Sequence, residues 1–422
     1  MAEIRAFQGI RYDASVVGDI EKVVSPPYDI IPPDDRVYYH QLHPNNFVRL
    51  ILGEEFDSDD DSNNRFTRAR GYLDRWLAEG ALKQDESPAI YVYRQDFEQD
   101  GEAKTIRGFI GAVRIHDYVD GVVLPHENTL AKPKSQLIHL IRQTQANLDC
   151  IYALYADEQY ALDAVMDRAM SAAPSADTHD KDGVRHTMWV VSDPAEIDLV
   201  SRFLADKPVA IADGHHRYET SLAYRDEMRE KTGSRDLPSE FTLMTLVNVY
   251  EKDMTIFPTH RVVASLPDDL LAGLSDSLAD LFEIEPSTGS SILADMASRS
   301  AIGMYRKGEA VTLKLKSDPG GLVTGCEASR NLELNILHKL ILERSLGIDD
   351  EKLRNQTNIV YTRDPKEAID LVDSGERQIA FLLNHIAVKS VLEIASAGEK
   401  MPQKATYFYP KLLSGLVLRK NG

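Results

Sequence analysis

The chain lacks most of the features that mark the commonest functional classes. Of its 422 residues only Cys150 and Cys326 are cysteine, far apart and in no metal or redox spacing. That excludes a disulfide framework and a cysteine zinc site, and both are read as reduced, buried thiols. The longest apolar run near the end, Ile379-Ala-Phe-Leu-Leu383, stops at Asn384 and His385, well short of a membrane span. The opening residues, Met1 to Phe7, lack the apolar core of a signal peptide, so a cytoplasmic location without a membrane partner is expected. Basic residues are outnumbered 48 to 67, for a formal charge of −19. That argues against duplex nucleic acid or an anionic membrane surface as the main partner and leaves room for a local cationic pocket. There is no Gly-x-x-x-x-Gly-Lys-Ser/Thr loop and no recognisable helix-turn-helix.

What is present is the material of an ordinary mixed α/β (α+β) protein: 43% hydrophobic residues in a chain too long for one core. Strands at 89–94, 108–115, 151–155, 186–191 and 243–249 alternate with helices at 65–78, 136–146, 161–172 and 194–204. Further on, helices are expected at 268–281, 291–298, 332–343 and 365–373, with strands near 301–305 and 311–315. Three regions follow from this rhythm: 1–130 with Pro-marked loops, 131–265, and 266–422. The acidic run 57–61 is read as solvated surface.

The most informative stretch is Ile211-Ala-Asp-Gly-His-His-Arg-Tyr-Glu219. Residues 208–212 read as a buried strand and 218–231 as a helix, with Asp213 as N-cap and Gly214 at the sharp turn. His215, His216 and Arg217 then fall in the first helical turn, where the dipole disfavours each cation by about 0.3–1 kcal/mol. A bound phosphate would resolve the conflict, since it would meet the helix amides and the side chains together. On this reading Arg217→Ala should leave the unliganded protein as stable as before, or slightly more so. Two other readings stay open: neutral, hydrogen-bonded histidines with Arg217 paired to Asp213 or Glu219, and a metal held by His215 and Glu219, for which no third ligand is marked nearby.

Chemically capable residues also collect in other turns. Pro26-Pro27-Tyr28-Asp29 presents a phenol and a carboxylate, or else an Asx-type turn with Tyr28 packed beneath it. Leu124-Pro-His126-Glu127 offers an imidazole and a carboxylate, suited to deprotonating a hydroxyl or meeting Mg²⁺, or else to a surface ion pair. In Pro258-Thr-His260-Arg261 the structural reading leads, with Arg261 bracing a carboxylate from another loop. Two lysines, Lys404 and Lys411, stand in the stretches beginning Met401-Pro and Pro410.

These segments, with Ala2-Glu-Ile-Arg-Ala-Phe7, Arg11-Tyr-Asp13 and His43-Pro-Asn-Asn-Phe-Val-Arg49, resemble a bacterial and archaeal family, domain-of-unknown-function family 1015, from residue 2 to residue 415. The Asp213-Gly-His-His-Arg217 element is also similar to the phosphate-binding turn of the ParB/sulfiredoxin superfamily, which includes ParB nucleotide switches and free serine kinases. The resemblance implies a ParB/sulfiredoxin-like strand-turn-helix inside a larger mixed sheet, a tail that returns Lys411 to the site, and a free amino acid such as serine as one acceptor. The resulting expectation is a kinase-like, nucleotide-dependent phosphotransferase acting on a hydroxyl of a small metabolite. Asp213, Gly214, His215, His216, Arg217 and Lys411 would hold the phosphates of ATP or ADP, Asp213 and Glu127 would meet Mg²⁺, and Glu127, Asp29 and His126 would handle the proton. The alternatives are a metal-dependent phosphohydrolase and a non-catalytic ParB-like nucleotide-binding regulator.

Overall fold

The computed structural model describes residues 2–127, 129, 131–355, 357–402 and 404–421, so Gln403 of the Met401 stretch lies outside it. The chain divides into two compact units: Met1–Pro125, Thr129–Met254 and Pro410–Gly422 form the first, and His126–Asn128 with Thr255–Tyr409 the second. The stretches 1–130 and 131–265 are thus not separate in space. Their strands share one sheet, which closes at Asn248, and Thr255–Tyr409 belong to the second unit.

The sheet of the first unit has nine strands. In chain order they are β1 (Ile4–Arg5), β2 (Ile90–Gln99), β3 (Glu102–Arg114), β4 (Val123–Leu124), β5 (Ile151–Tyr155), β6 (Ala176–His179), β7 (Arg185–Val191), β8 (Val209–Asp213) and β9 (Phe241–Asn248). Across the sheet the order is β4-β8-β5-β9-β3-β2-β7-β6, with β1 added on β3. The β4–β8 and β5–β9 pairs are parallel and the rest antiparallel. The β2–β3 hairpin turns at Asp100-Gly101, both at positive φ. Strands β5 and β9 are buried at every position, which is why they read as mainly apolar, with Thr242, Thr245 and Asn248 the buried polar residues of β9.

The sheet is packed on both faces. On one, Val92, Phe109, Ile151, Ile211 and Met244 meet Val165, Met166, Val200 and Leu204 of the helices Asp163–Met170 and Pro194–Leu204. A second cluster joins Phe47, Leu140, Leu148 and Leu418 to Leu73 and Trp76 of the helix Arg65–Ala78. That helix starts where its sequence says it should: Asn64 caps it and Thr67 completes the capping box. Each such large apolar side chain contributes roughly 1.5–3 kcal/mol when fully buried.

The second unit is built on a six-stranded antiparallel sheet. Its strands are β10 (His260–Val263), β11 (Phe282–Ser287), β12 (Ile302–Arg306), β13 (Glu309–Leu315), β14 (Ile359–Thr362) and β15 (Ile379–Leu382), in the order β11-β13-β12-β15-β10-β14. The helical stretch expected at 332–343 begins as one α-turn, Glu333–Ile336, and continues as a π-helix, Leu337–Glu343. No helix among the described residues is long and apolar enough to cross a membrane.

One segment matters most for the site. Residues 410–421 thread back into the first unit, where Ser414 and Ser25 exchange backbone hydrogen bonds of 2.8 and 3.2 Å and Leu418 pairs with Ile10. Gly415 makes this passage possible, because its φ is 100° and an added Cβ would lie 3.0 Å from the Phe47 ring. Gly415→Ala is therefore expected to cost about 2–3 kcal/mol from strain and overpacking together. A urea midpoint equal to wild type would show that the tail is not held at this point.

Candidate functional site

The strand, turn and helix of the Asp213 region are present, with one change in their parts. Strand β8 runs through Asp213 itself, and the N-cap is Gly214, at φ 93°, with no side-chain cap on the helix His215–Thr232 (α1). The reason is a register shift in β8 between Ile211 and Asp213 where it pairs with β5. Period-two alternation would send Asp213 towards the apolar face occupied by Ile211, and the bulge releases it from that alternation. Its carboxylate then accepts the Gly214 N–H at 2.9 Å instead of capping deeper amides.

Arg217 is where the structure departs most from the phosphate grip. Its side chain is only 9% exposed, its Nη1 donates to the Cys150 carbonyl, and its Nη2 lies 3.6 Å from Asp213. The guanidinium folds over the turn so closely that a Cβ on Gly214 would come within 2.9 Å of Nε. Burial alone would lower the pKa of Arg217, but the carboxylates of Asp213, Asp29 and Asp149 overcome it and raise it. Glu219, the other partner considered, instead accepts Lys134 at 2.7 Å and Thr129 at 2.6 Å.

The remaining groups gather round this cation. Lys411 reaches Asp213 at 3.1 Å, delivered by the returning tail, whose Lys411 carbonyl accepts the Gln95 side chain at 2.8 Å. Asp29 comes from the Tyr28–Ile30 turn, immediately after the Ser25–Ser414 pairing. The two aspartates are driven in opposite directions. Burial would raise the pKa of Asp213, but Lys411, Arg217 and His215 hold it well below the usual carboxylate range. Asp29, still open to solvent at one side, is raised by desolvation and next by the Asp213 charge, against Arg217 and Lys411. His216 is pushed down, chiefly by burial, against the pull of Asp29 and Glu219. A neutral imidazole at the helix start removes part of the dipole conflict that the sequence posed.

Asp29, Asp213, Gly214, His215, His216, Arg217 and Lys411 are therefore neighbours in the first unit. His126 and Glu127 belong to the second. His126 is fully buried, with Nε2 3.0 Å from the Thr406 hydroxyl, and Glu127 accepts the Lys404 N–H at 2.8 Å. Asp149 is the residue that sequence reasoning missed. Burial raises its pKa against Arg217 and a Ser414 hydrogen bond, and it enters the site through its position just ahead of β5. The residues do not form a resident metal site: both Asp213 oxygens are engaged, and no three His, Cys, Asp or Glu side chains converge among the described residues.

A model of the family described as "Protein of unknown function (DUF1015)" matches residues 4–340. The chain belongs to this family. No curated protein matches it. Among solved structures it is similar to a conserved hypothetical protein from Pyrococcus furiosus, at 12% identity and TM-score 0.35 over 69% of this chain and 89% of that one. A free serine kinase in complex with AMP gives 13% and 0.35 over 68% and 83%. SbnI with a C-terminal truncation, from Staphylococcus aureus, gives 12% and 0.37 over 72% and 85%.

The geometry reverses the expectation for Arg217. Its removal strands carboxylates that are partly desolvated, so Arg217→Ala should destabilise the unliganded protein by about 3 kcal/mol, at the low end for a buried pair because Asp213 keeps some solvent. An unchanged melting temperature would restore the unpaired-cation reading. For Asp213 the folded pKa is depressed, so its contribution is fully present above the unfolded value of about 3.9 and is lost as pH falls towards the folded one. Asp213→Asn should accordingly be less stable than wild type at pH 7, with the difference shrinking below about pH 4; a gap that is constant across that range would contradict the ion pairing.

Proposed function

We propose that this protein is a nucleotide-dependent phosphotransferase acting on a hydroxyl group of a small metabolite. The observation that carries the reading is geometric: at the start of an uncapped helix, Lys411 lies 3.1 Å and Arg217 3.6 Å from Asp213, and the charge of Asp29 acts on the same two cations. The two carboxyl groups, Asp29 raised and Asp213 lowered, suit different roles. Asp213 stays ionised and orients Lys411 and Arg217. Asp29 has the more basic carboxylate and is open to solvent, as a base for an incoming hydroxyl must be.

In the proposed reaction the nucleotide's terminal phosphate lies at the start of α1, with Lys411 turned from Asp213 to a phosphate oxygen. The acceptor oxygen attacks phosphorus, its proton passes to Asp29, and the bond from phosphorus to the nucleotide's bridging oxygen breaks. Charge neutralisation and positioning supply the rate, so no covalent enzyme intermediate is needed. Mg²⁺ enters only as the nucleotide's own counter-ion, and no step is routed through a protein-held metal. Glu127 and His126 are second candidates for the proton. A free amino acid such as serine is the acceptor suggested by the sequence resemblance alone.

Thermal shifts with ADP and ATP, with and without Mg²⁺, test binding, since a ligand at 100 times its Kd adds about 2.7 kcal/mol. Lys411→Ala should weaken nucleotide binding roughly 10- to 100-fold, the worth of one charge-assisted bond. Asp29→Asn should retain binding and lower transfer about 100-fold or more. The acid limb of the wild-type pH profile should lie above the ordinary carboxylate pKa of about 3.9. If Glu127→Gln instead of Asp29→Asn abolishes transfer, the base is Glu127. Binding without turnover would support the regulator, and phosphate release without an acceptor the phosphohydrolase.

A further inference from the structure

The second unit contains a cavity of about 500 Å³ that the proposed phosphoryl transfer does not use. Its volume is that of a small-molecule site. The wall is braced from behind by two residues of the Pro258-Thr-His260-Arg261 motif. Arg261 donates to the carbonyls of Thr259 and Lys404, and His260 Nδ1 accepts the Leu383 N–H at 3.2 Å. Thr259, Leu383 and Ala405 in turn line the cavity. The space is thus built into the unit, rather than left between mobile loops.

Its titratable lining is three carboxylates and one imidazole, that of His385. Glu327, Glu333 and Glu393 line it, and no lysine or arginine does. Glu333 is the most enclosed, and its two oxygens accept the backbone N–H and side-chain amide of Asn384 at 3.1 and 2.8 Å. Both donors are neutral, and among the described residues no cation lies within ion-pair distance of Glu333. Burial pushes its pKa up, as expected of a carboxylate lacking a counter-charge. Glu393 shares an exposed Lys389 at 3.6 Å. Glu327 opens a single-turn helix, Glu333 opens the helical stretch that runs on to Glu343, and the helix Val388–Ser396 also starts at this wall. A full helix start offers only about half a positive charge, so three carboxylates leave the cavity net negative and unfit for an anion.

The carboxylates do not converge as metal ligands would. A ligand that satisfies them must carry its positive charges at separate points.

We propose that this cavity binds a linear polyamine, whose ammonium groups meet Glu333 at depth and Glu327 and Glu393 nearer solvent. The alkyl segments lie along Pro258, Leu332 and Leu334. This site is independent of the nucleotide reading, and either stands if the other fails. Titration calorimetry of the full-length chain with spermidine, at physiological salt, tests it. One molecule should bind per chain, at least tenfold more weakly in Glu333→Gln and in Glu393→Gln, while the uncharged 1,8-octanediol should not bind. Because Glu393 is exposed, its variant will fold even if Glu333→Gln does not. The chain's charge of −19 attracts any polycation, so the exposed acidic-loop variant Asp57→Asn is the control and should bind like wild type. Equal weakening by Asp57→Asn, several molecules bound per chain, or no loss in both glutamate variants would overturn the site.

Discussion

The organisation of the first unit depends on keeping the Arg217 charge inside it. A desolvated guanidinium costs several kcal/mol unless opposite charge and hydrogen-bond acceptors surround it. Here they come from three places: the end of β8, the residues just ahead of β5, and the Tyr28–Ile30 turn. Lys411, from the tail, then balances the carboxylates that Arg217 alone cannot. Four stretches of chain, at 28–30, 149–150, 213–217 and 411, thus share one electrostatic problem. An arriving phosphate would be in competition with Asp213 and Asp29 for the same cations.

The second unit meets a similar problem with a different solution. Arg261 is wholly buried, yet its charge faces two carbonyls and lies 5.4 Å from the Tyr361 ring. Burial therefore wins, and its pKa falls to about 10. The contrast with Arg217 is physical. Carbonyl dipoles, a ring face and the single carboxylate of Glu127 do not fully restore to Arg261 what water gave it, whereas the three aspartates round Arg217 do more than restore it. Arg261 accordingly has a bracing part and Arg217 a place at a site of balanced charge.

Local chemistry was legible in the chain wherever it was governed by near neighbours. The periodicity of 65–78, the apolar runs at 151–155 and 243–249, and the strand-turn-helix at 209–232 all rest on contacts and propensities that a short window contains. Asp29 and Lys411 were likewise visible as polar residues in Pro-marked turns. The protonation pattern was not. That Arg217 would be consumed by Asp213 and the Cys150 carbonyl depends on a bulge whose cause is the pairing of β8 with β5, a long-range event. Asp149 had no motif around it and gains its meaning only from what folds against it. The π-helix at 337–343 has the same apolar spacing as an α-helix over so few turns, so periodicity could not separate them.

The returning tail also sets an order of assembly. The first unit needs residues 410–421, but the ribosome makes them only after the whole of the second unit. A nascent chain must therefore carry an unfinished first unit, with Phe47 lacking its partner at Gly415 and Ile10 lacking Leu418, while the intervening residues emerge and fold. The second unit, apart from His126–Asn128, is continuous in sequence and is free to fold first. Vectorial synthesis thus makes the earliest residues the last to be completed.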